Sequence, residues 1–336
     1  MKLKDKDQVK GELSSNIQKF IEKKGRETFE RAQKHMLEIG KHIQSLKIRE
    51  ALNYFARHYW SDFARPTLMF TACEAVGGDS RKVVPIAVPV MLIAAGMDIH
   101  DDIIDQSRFK NNRLTVFGRY GKDVALLLGD SLIFEGFVQL CLALQKVPAQ
   151  KATKTMEIIK DLFFELGSAE AEELKFRAST DVSLKQYLRL VKRKAADVEA
   201  YTYIGGLFGG GTEEEIKALR KYGRILGTLA ILRDDFIDMM DEDEVWHRLR
   251  KEVVPFPILC AAEKSEIRNE IRQIIAKKKK TKGDARKIIE LTINCNGIES
   301  SKEIIHKIIA EGISAIKIIK YTDDLKLIIY AMSDIL

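Results

Sequence analysis

Six prolines punctuate 336 residues, and that scarcity restricts the fold more than any other feature of the chain. Proline and glycine are the residues that interrupt regular elements, and long stretches here run without either. Within those stretches apolar residues recur three and four apart among charges, the period of an amphipathic helix, and strict alternation is rare. The pattern predicts an all-α protein. Two helices are expected over about 8–58, a third from Arg65-Pro66 to Gly77-Gly78-Asp79, and a long apolar one from Pro85 into Asp98–Asp105. Further helices are expected at about 124–144, 149–176 and 182–203, before the glycines of 205–211. Thr212 followed by Glu213, Glu214 and Glu215 is an N-cap signature with acids in the first turn, where the helix dipole favours them. No linker or fixed-period repeat divides the chain, so one domain over 1–336 is expected.

The net charge of +7 is partly local, because Lys277–Lys280 and Lys282 form a run that reads as a solvated loop. No coherent basic face or recognisable module accompanies it, which argues against a nucleic-acid partner. A generally positive field would still draw small phosphorylated ligands. Cys73, Cys141, Cys260 and Cys295 show neither metal-ligand nor disulfide spacing, and their apolar contexts predict reduced, buried thiols in the cytoplasm. The N-terminal MKLKDKDQVKGEL lacks the apolar core of a signal peptide. Val83–Met97, the longest apolar stretch, contains Pro85 and Pro89 and falls short of the roughly 18–20 residues of a membrane span. A soluble, cytoplasmic protein without a membrane span is expected.

Two strings carry the chemistry: Asp98-Ile-His-Asp-Asp-Ile-Ile-Asp105 and Arg233-Asp-Asp-Phe-Ile-Asp238. Each places D-D-x-x-D in an otherwise apolar helix. Residues four apart share a face, so Asp101 stacks on Asp105, with Asp102 about 100° round the axis. Asp234, Asp235 and Asp238 repeat the arrangement, and each trio is expected to converge on one point. Carboxylates so close repel one another, and burying them unpaired is costly. Hard oxygen donors in this number suit magnesium, which keeps several waters and bridges carboxylates to phosphates. One acidic turn would read as solvated surface; two of identical spacing, each after an apolar run, point to metal.

This pair resembles the first and second aspartate-rich motifs of the all-trans polyprenyl diphosphate synthase family. Residues 65–79 (RPTLMFTACEAVGGD), 99–105 (IHDDIID) and 128–132 (LGDSL) match family strings in order, and Lys194 stands where the family has a Lys-Thr pair, with Ala195 replacing the threonine. The resemblance covers roughly 45–330. It implies an isoprenoid-synthase fold, a single large helical bundle around a central cavity, and a homodimer. It further implies that three magnesium ions hold an allylic isoprenoid diphosphate between the two clusters, and that the prenyl cation is transferred to isopentenyl diphosphate. By the motif match the metal ligands are Asp101, Asp102, Asp105, Asp234, Asp235 and Asp238. The catalytic set is Asp101, Asp102, Asp105, Lys194, Asp234 and Asp235, and Lys110 and Lys194 contact the allylic diphosphate.

The departures cluster on the acceptor side. The family's Gly-Lys-Arg-x-Arg-Pro string reads Ser61-Asp-Phe-Ala-Arg-Pro66, leaving Arg65 as the one surviving cation. Ala94 replaces a histidine or glutamine, Lys110-Asn111-Asn112 replaces Arg-Arg-Gly, and Ala230-Ile231 replaces Phe-Gln. Each lost charge-assisted hydrogen bond is worth about 1.5–3 kcal/mol. Arg57, His58 and Arg113 lie near enough in sequence to compensate, although surface charge is their simpler reading. Past the second cluster, Arg248 or Lys251 is a candidate for a missing positive charge over the diphosphate. Asp98 is expected to pair with a nearby arginine, and His100 to be a buried, hydrogen-bonded core residue. By family analogy Ala94, Gly96 and Met97, being small or flexible, imply a deep hydrocarbon pocket for a farnesyl, geranylgeranyl or longer chain. Phe134, Phe137 and Leu140 are candidates for its floor, against ordinary core packing. Three alternatives stay open: a terpene-synthase-like enzyme that converts the allylic diphosphate alone, prenyl transfer to another acceptor, and a regulatory subunit of an active homologue.

Overall fold

The computed structural model describes residues 15–333 apart from 111, 178 and 180. The N-terminal segment read above and Asn111 therefore lie outside the described residues. The chain divides into two compact units: Lys19–Met156 with Ile204–Gly210, and Met1–Gln18 with Glu157–Tyr203 and Gly211–Leu336.

In the unit centred on Lys19–Met156, α1 (Ser15–Gly40, most of its length) precedes α2 (Leu46–Tyr54), which Ser45 caps by accepting from Ile48 N. The helix then widens into a π turn, Phe55–Tyr59. α3 (Ala64–Ala75) begins at Arg65-Pro66 as expected, proline being tolerated in a first turn. A 3-10 turn at Ser80–Lys82 leads into α4 (Val84–Ile104), followed by β1 (Phe109–Lys110) and β2 (Arg113–Leu114). These two strands pair antiparallel, with Lys110 opposite Arg113. α5 (Val116–Tyr120) and α6 (Lys122–Leu144) complete the unit.

α4 and α6 run against each other closely because glycine lines their contact. A Cβ on Gly96 would lie 2.6 Å from Gly129 O, and one on Gly129 would lie 2.4 Å from the His100 ring. Phe55, Trp60, Met91, Leu92, Ile99 and Leu128 form the centre of the core around this crossing.

The other unit holds most of α7 (Ala149–Arg177), then α8 (Leu184–Lys194), much of α9 (Ala196–Gly209) and α10 (Glu213–Asp238). α11 (Glu242–Lys251), α12 (Phe256–Ala262), α13 (Ser265–Ala276), α14 (Lys282–Asn294), α15 (Gly297–Ala315) and α16 (Asp323–Ala331) follow. The N-cap read at Thr212 is present as a full capping box with Glu215, and Ser183 and Thr281 form two more with Gln186 and Asp284. α10 packs on α8, α12 and α15, and Tyr222 in its middle is fully buried with its hydroxyl donating to Leu325 O at 2.7 Å.

Two expectations change. Cys73 and Cys260 are buried, but Cys141 is exposed, because the apolar run of α6 covers faces that the core does not use, and Cys295, at the end of α14, is half-buried. Burial pushes the Cys73 thiol up to about 11 and the Cys260 thiol to about 12. The helix that carries the apolar segment Val83–Met97 continues to Ile104, so α4, like α6, is long and apolar enough to cross a membrane by length and composition; 61% of its apolar window is buried, the behaviour of a core helix, against 39% for α6.

Candidate active site

Asp101 and Asp102 occupy the last turn of α4, and Asp105 caps its C-terminus. The three carboxylates differ in exposure. The Asp101 side chain is 41% exposed and that of Asp102 only 3%. Asp102 Oδ2 accepts from the Tyr59 hydroxyl at 3.2 Å, and Lys110 Nζ lies 2.8 Å from its Oδ1 and 3.4 Å from Asp101 Oδ2. Left-handed backbone at Gln106 and Asn112 turns the hairpin so that Lys110 comes back to the helix end. Burial pushes the Asp102 carboxyl up, and the Lys110 ammonium acts against it. Lys110 is itself drawn down by burial and raised more strongly by Asp101 and Asp102, so it stays charged. Burial and the Asp102 charge hold the Tyr59 hydroxyl protonated.

One turn earlier, Asp98 receives both terminal nitrogens of Arg65, at 2.9 and 2.7 Å, and Arg65 also donates to Asp62 at 2.9 Å. The arginine partner expected for Asp98 is therefore Arg65, the one acceptor-side cation that survives in sequence.

The second cluster follows the same division within its own unit. Asp234 is 72% exposed and Asp238 33%. Asp235 is buried, where Tyr187 Oη, Arg248 Nη1 and Phe256 N all donate to it, at 2.5, 2.5 and 3.0 Å. Arg248 also reaches Asp238 Oδ2 at 3.2 Å, and its Nε donates to Val253 O. Of the two candidates for the missing charge, Arg248 is thus tied into the cluster. Burial pushes the Asp238 carboxyl up to about 6, with Arg248 pulling it down and Asp235 adding to the rise. Tyr187 is held well above its usual range by burial and by the Asp235 charge. Lys194 closes α8, where its Nζ lies against Glu170 at 3.0 Å and against Glu173.

Other expectations fare unevenly. Ala94 is buried and Met97 half-buried, but the small size of Gly96 serves the contact with α6. Phe134 is 72% exposed and so is no floor of a pocket; Leu140 is buried. His100 Nε2 is hydrogen-bonded to Leu126 O and lies 3.3 Å from Asp130 Oδ1, yet its side chain is 25% exposed rather than buried. Tyr59 and Tyr187 were not read from the sequence: each is one tyrosine far from the aspartate it serves, and no spacing signals it.

Among the described residues no three acidic, imidazole or thiol groups form a ready-made metal cage. The accessible pairs Asp101 with Asp105 and Asp234 with Asp238, each one turn apart, fit an ion that takes one or two carboxylates and fills its shell with water and substrate oxygens. Asp102 and Asp235 are the buried member of each trio, and each holds a cation, Lys110 or Arg248, that also reaches one of the accessible carboxylates.

The Polyprenyl synthetase family model matches residues 48–292. A geranylgeranyl diphosphate synthase of Methanosarcina mazei is 31% identical over 187 residues, 55% of this chain and 57% of the relative. Geranylgeranyl pyrophosphate synthase 11, chloroplastic, of Arabidopsis thaliana is 31% identical over 245 residues, 68% of each chain. The match thus spans little more than half the length of the first and two thirds of the second. The crystal structure of geranylgeranyl pyrophosphate synthetase from Pyrococcus horikoshii superposes with a TM-score of 0.76 at 26% identity, covering 92% of this chain and 98% of that one.

Proposed function

The chain is a member of the Polyprenyl synthetase family, and from that premise we propose that it is a magnesium-dependent trans-prenyltransferase acting on allylic isoprenoid diphosphates. The observation that carries the proposal is the repeated construction of the two motifs. In each, two accessible carboxylates a turn apart accompany a third that is buried and held by a tyrosine and a cation.

Magnesium, when bound, supplies Lewis-acid stabilisation of the diphosphate as it leaves. Asp101, Asp105, Asp234 and Asp238 are the residues that would hold it, in the family's number of three ions. Asp102 holds Lys110, and Asp235 holds Arg248, beside those carboxylates. Lys110 and Lys194 change partners from carboxylates to the diphosphate and stabilise its growing charge. The C1–O bond breaks with its electron pair going to the diphosphate, and the double bond of the acceptor, by family isopentenyl diphosphate, forms the new C–C bond. The proton then lost passes to the diphosphate.

Leu127, Phe134, Val138 and Leu142 on α6 are exposed by 56%, 72%, 38% and 48%. Such a stripe supports the family's homodimer, because an apolar face of this length favours a partner. Free thiols suit the cytoplasm.

The test is incubation of purified protein with magnesium and geranylgeranyl diphosphate, with and without isopentenyl diphosphate, followed by product extraction. Longer diphosphates formed only when both substrates are present are expected. A hydrocarbon or alcohol from the allylic substrate alone, or no turnover, would overturn the proposal.

A further inference from the structure

We infer that a basin formed by Arg57, His58, Arg113 and Arg119 is an anion site that takes the phosphate or diphosphate group of a small ligand. These side chains line a cavity of about 580 Å³ together with Tyr54 and Phe109, and no aspartate or glutamate contributes to its wall. Among the described residues none of the three guanidinium groups is paired with a carboxylate. That sets them apart from Arg65, Arg224 and Arg248, each of which is held by acids.

Crowded like charges repel, so the fold must hold the basin open by other means. Arg113 Nη1 donates to His58 O at 2.7 Å, a neutral partner that fixes the side chain and leaves its charge uncompensated. Arg119 lies over the rings of Tyr54 and Tyr120, at 4.4 and 5.7 Å, with the same effect. Arg57 and His58 are set on the π turn Phe55–Tyr59, a wide turn of a kind often found at functional sites. Guanidinium forks match phosphate oxygens, and Phe109, 65% exposed, offers an apolar flank to whatever carries the phosphate. The basin adjoins the first aspartate cluster through the hairpin itself, since Lys110 on β1 reaches Asp102 while Arg113, its register partner on β2, lines the cavity. The inference does not depend on the reaction proposed above, because it concerns binding without metal.

The experiment is calorimetric titration of the full chain with inorganic pyrophosphate, then with isopentenyl diphosphate, in magnesium-free buffer. Arg57→Ala removes an exposed cation with no structural partner and should weaken binding about tenfold, as should Arg119→Ala, while Arg119→Lys should restore part of the loss. The control is Lys278→Glu with Lys279→Glu, in the lysine run remote in sequence, which should leave affinity within about twofold. Equal affinity for both titrants supports the site as a reader of the diphosphate alone. Tighter binding of isopentenyl diphosphate supports it with Phe109 contributing. Unchanged affinity in Arg57→Ala and Arg119→Ala, no binding to the unaltered chain, or an equal loss in the lysine control would overturn the inference.

Discussion

Arg65 meets Asp98 through two parallel hydrogen bonds, Nη1 to Oδ2 at 2.9 Å and Nη2 to Oδ1 at 2.7 Å. This forked pairing fixes orientation as well as charge. Asp62 takes a further bond from Nη1 and also accepts from the backbone amides of Ala64 and Arg65. Two carboxylates therefore face one guanidinium.

Replacing Asp98 with alanine tests what that pair does. The partners are 24% and 35% exposed, so solvent screening limits the loss of stability to about 1 kcal/mol. Arg65 would lose its forked partner while keeping its bond to Asp62, and the affinity for isopentenyl diphosphate should rise several-fold. Urea titration and calorimetry measure both quantities. A loss above about 3 kcal/mol would mark the pair as a buried structural bridge instead.

The two kinds of aspartate in each motif should separate under mutation. Asp101→Ala and Asp234→Ala remove accessible carboxylates, so stability should hardly change while magnesium binding and turnover are lost. Asp235→Asn leaves Arg248 and Tyr187 facing a weaker acceptor in a buried site, and should cost about 3 kcal/mol of stability. Asp102→Asn should also destabilise, because Lys110 and Tyr59 lose the charge they face. Thermal melts with and without magnesium distinguish the cases. Equal destabilisation by all four variants would contradict the division.

Much of this was legible in sequence. The helices followed from apolar spacing and scarce proline, and their starts from residues such as Thr212, whose hydroxyl bonds its own first turn. The aspartates were found because a helix turns spacing into a shared face. What spacing could not tell was the direction of the middle carboxylate. Asp102 is turned inward by Tyr59 and Asp235 by Tyr187, 43 and 48 residues away along the chain, and those contacts exist only after folding. Gly96 was misread for a similar reason: its neighbour Gly129 lies on another helix, and sequence shows a small residue without showing which side needs it small.

Thiol reactivity should follow exposure. Cys141 is the exposed cysteine, while Cys73 and Cys260 are buried with their thiols pushed up to about 11 and about 12 by burial. The thiolate is the reactive form, so both buried groups lack access and nucleophile. Labelling with a maleimide followed by peptide mass mapping should modify Cys141 first and Cys73 and Cys260 only on denaturation. Early labelling of Cys260 would show that the start of α12, where Phe256 N holds Asp235, opens readily.

Magnesium affinity should depend on pH through Asp238. Burial lifts its folded pKa to about 6, above the ordinary carboxylate value of 3.8. Between those values the folded chain holds a proton that the unfolded chain has released, so this group's contribution to stability grows as pH falls through about 6 and fades as pH rises. Metal binding has the opposite sign, because the ion needs the carboxylate and competes with the proton. The magnesium-induced rise in melting temperature should therefore be small near about pH 5 and full near about pH 7.5, with its midpoint near 6. Asp238→Asn should remove the pH dependence together with most of the shift at the higher pH. A magnesium shift of the same size at both pH values in the unaltered chain would take Asp238 out of the ligand set and leave the second cluster to Asp234.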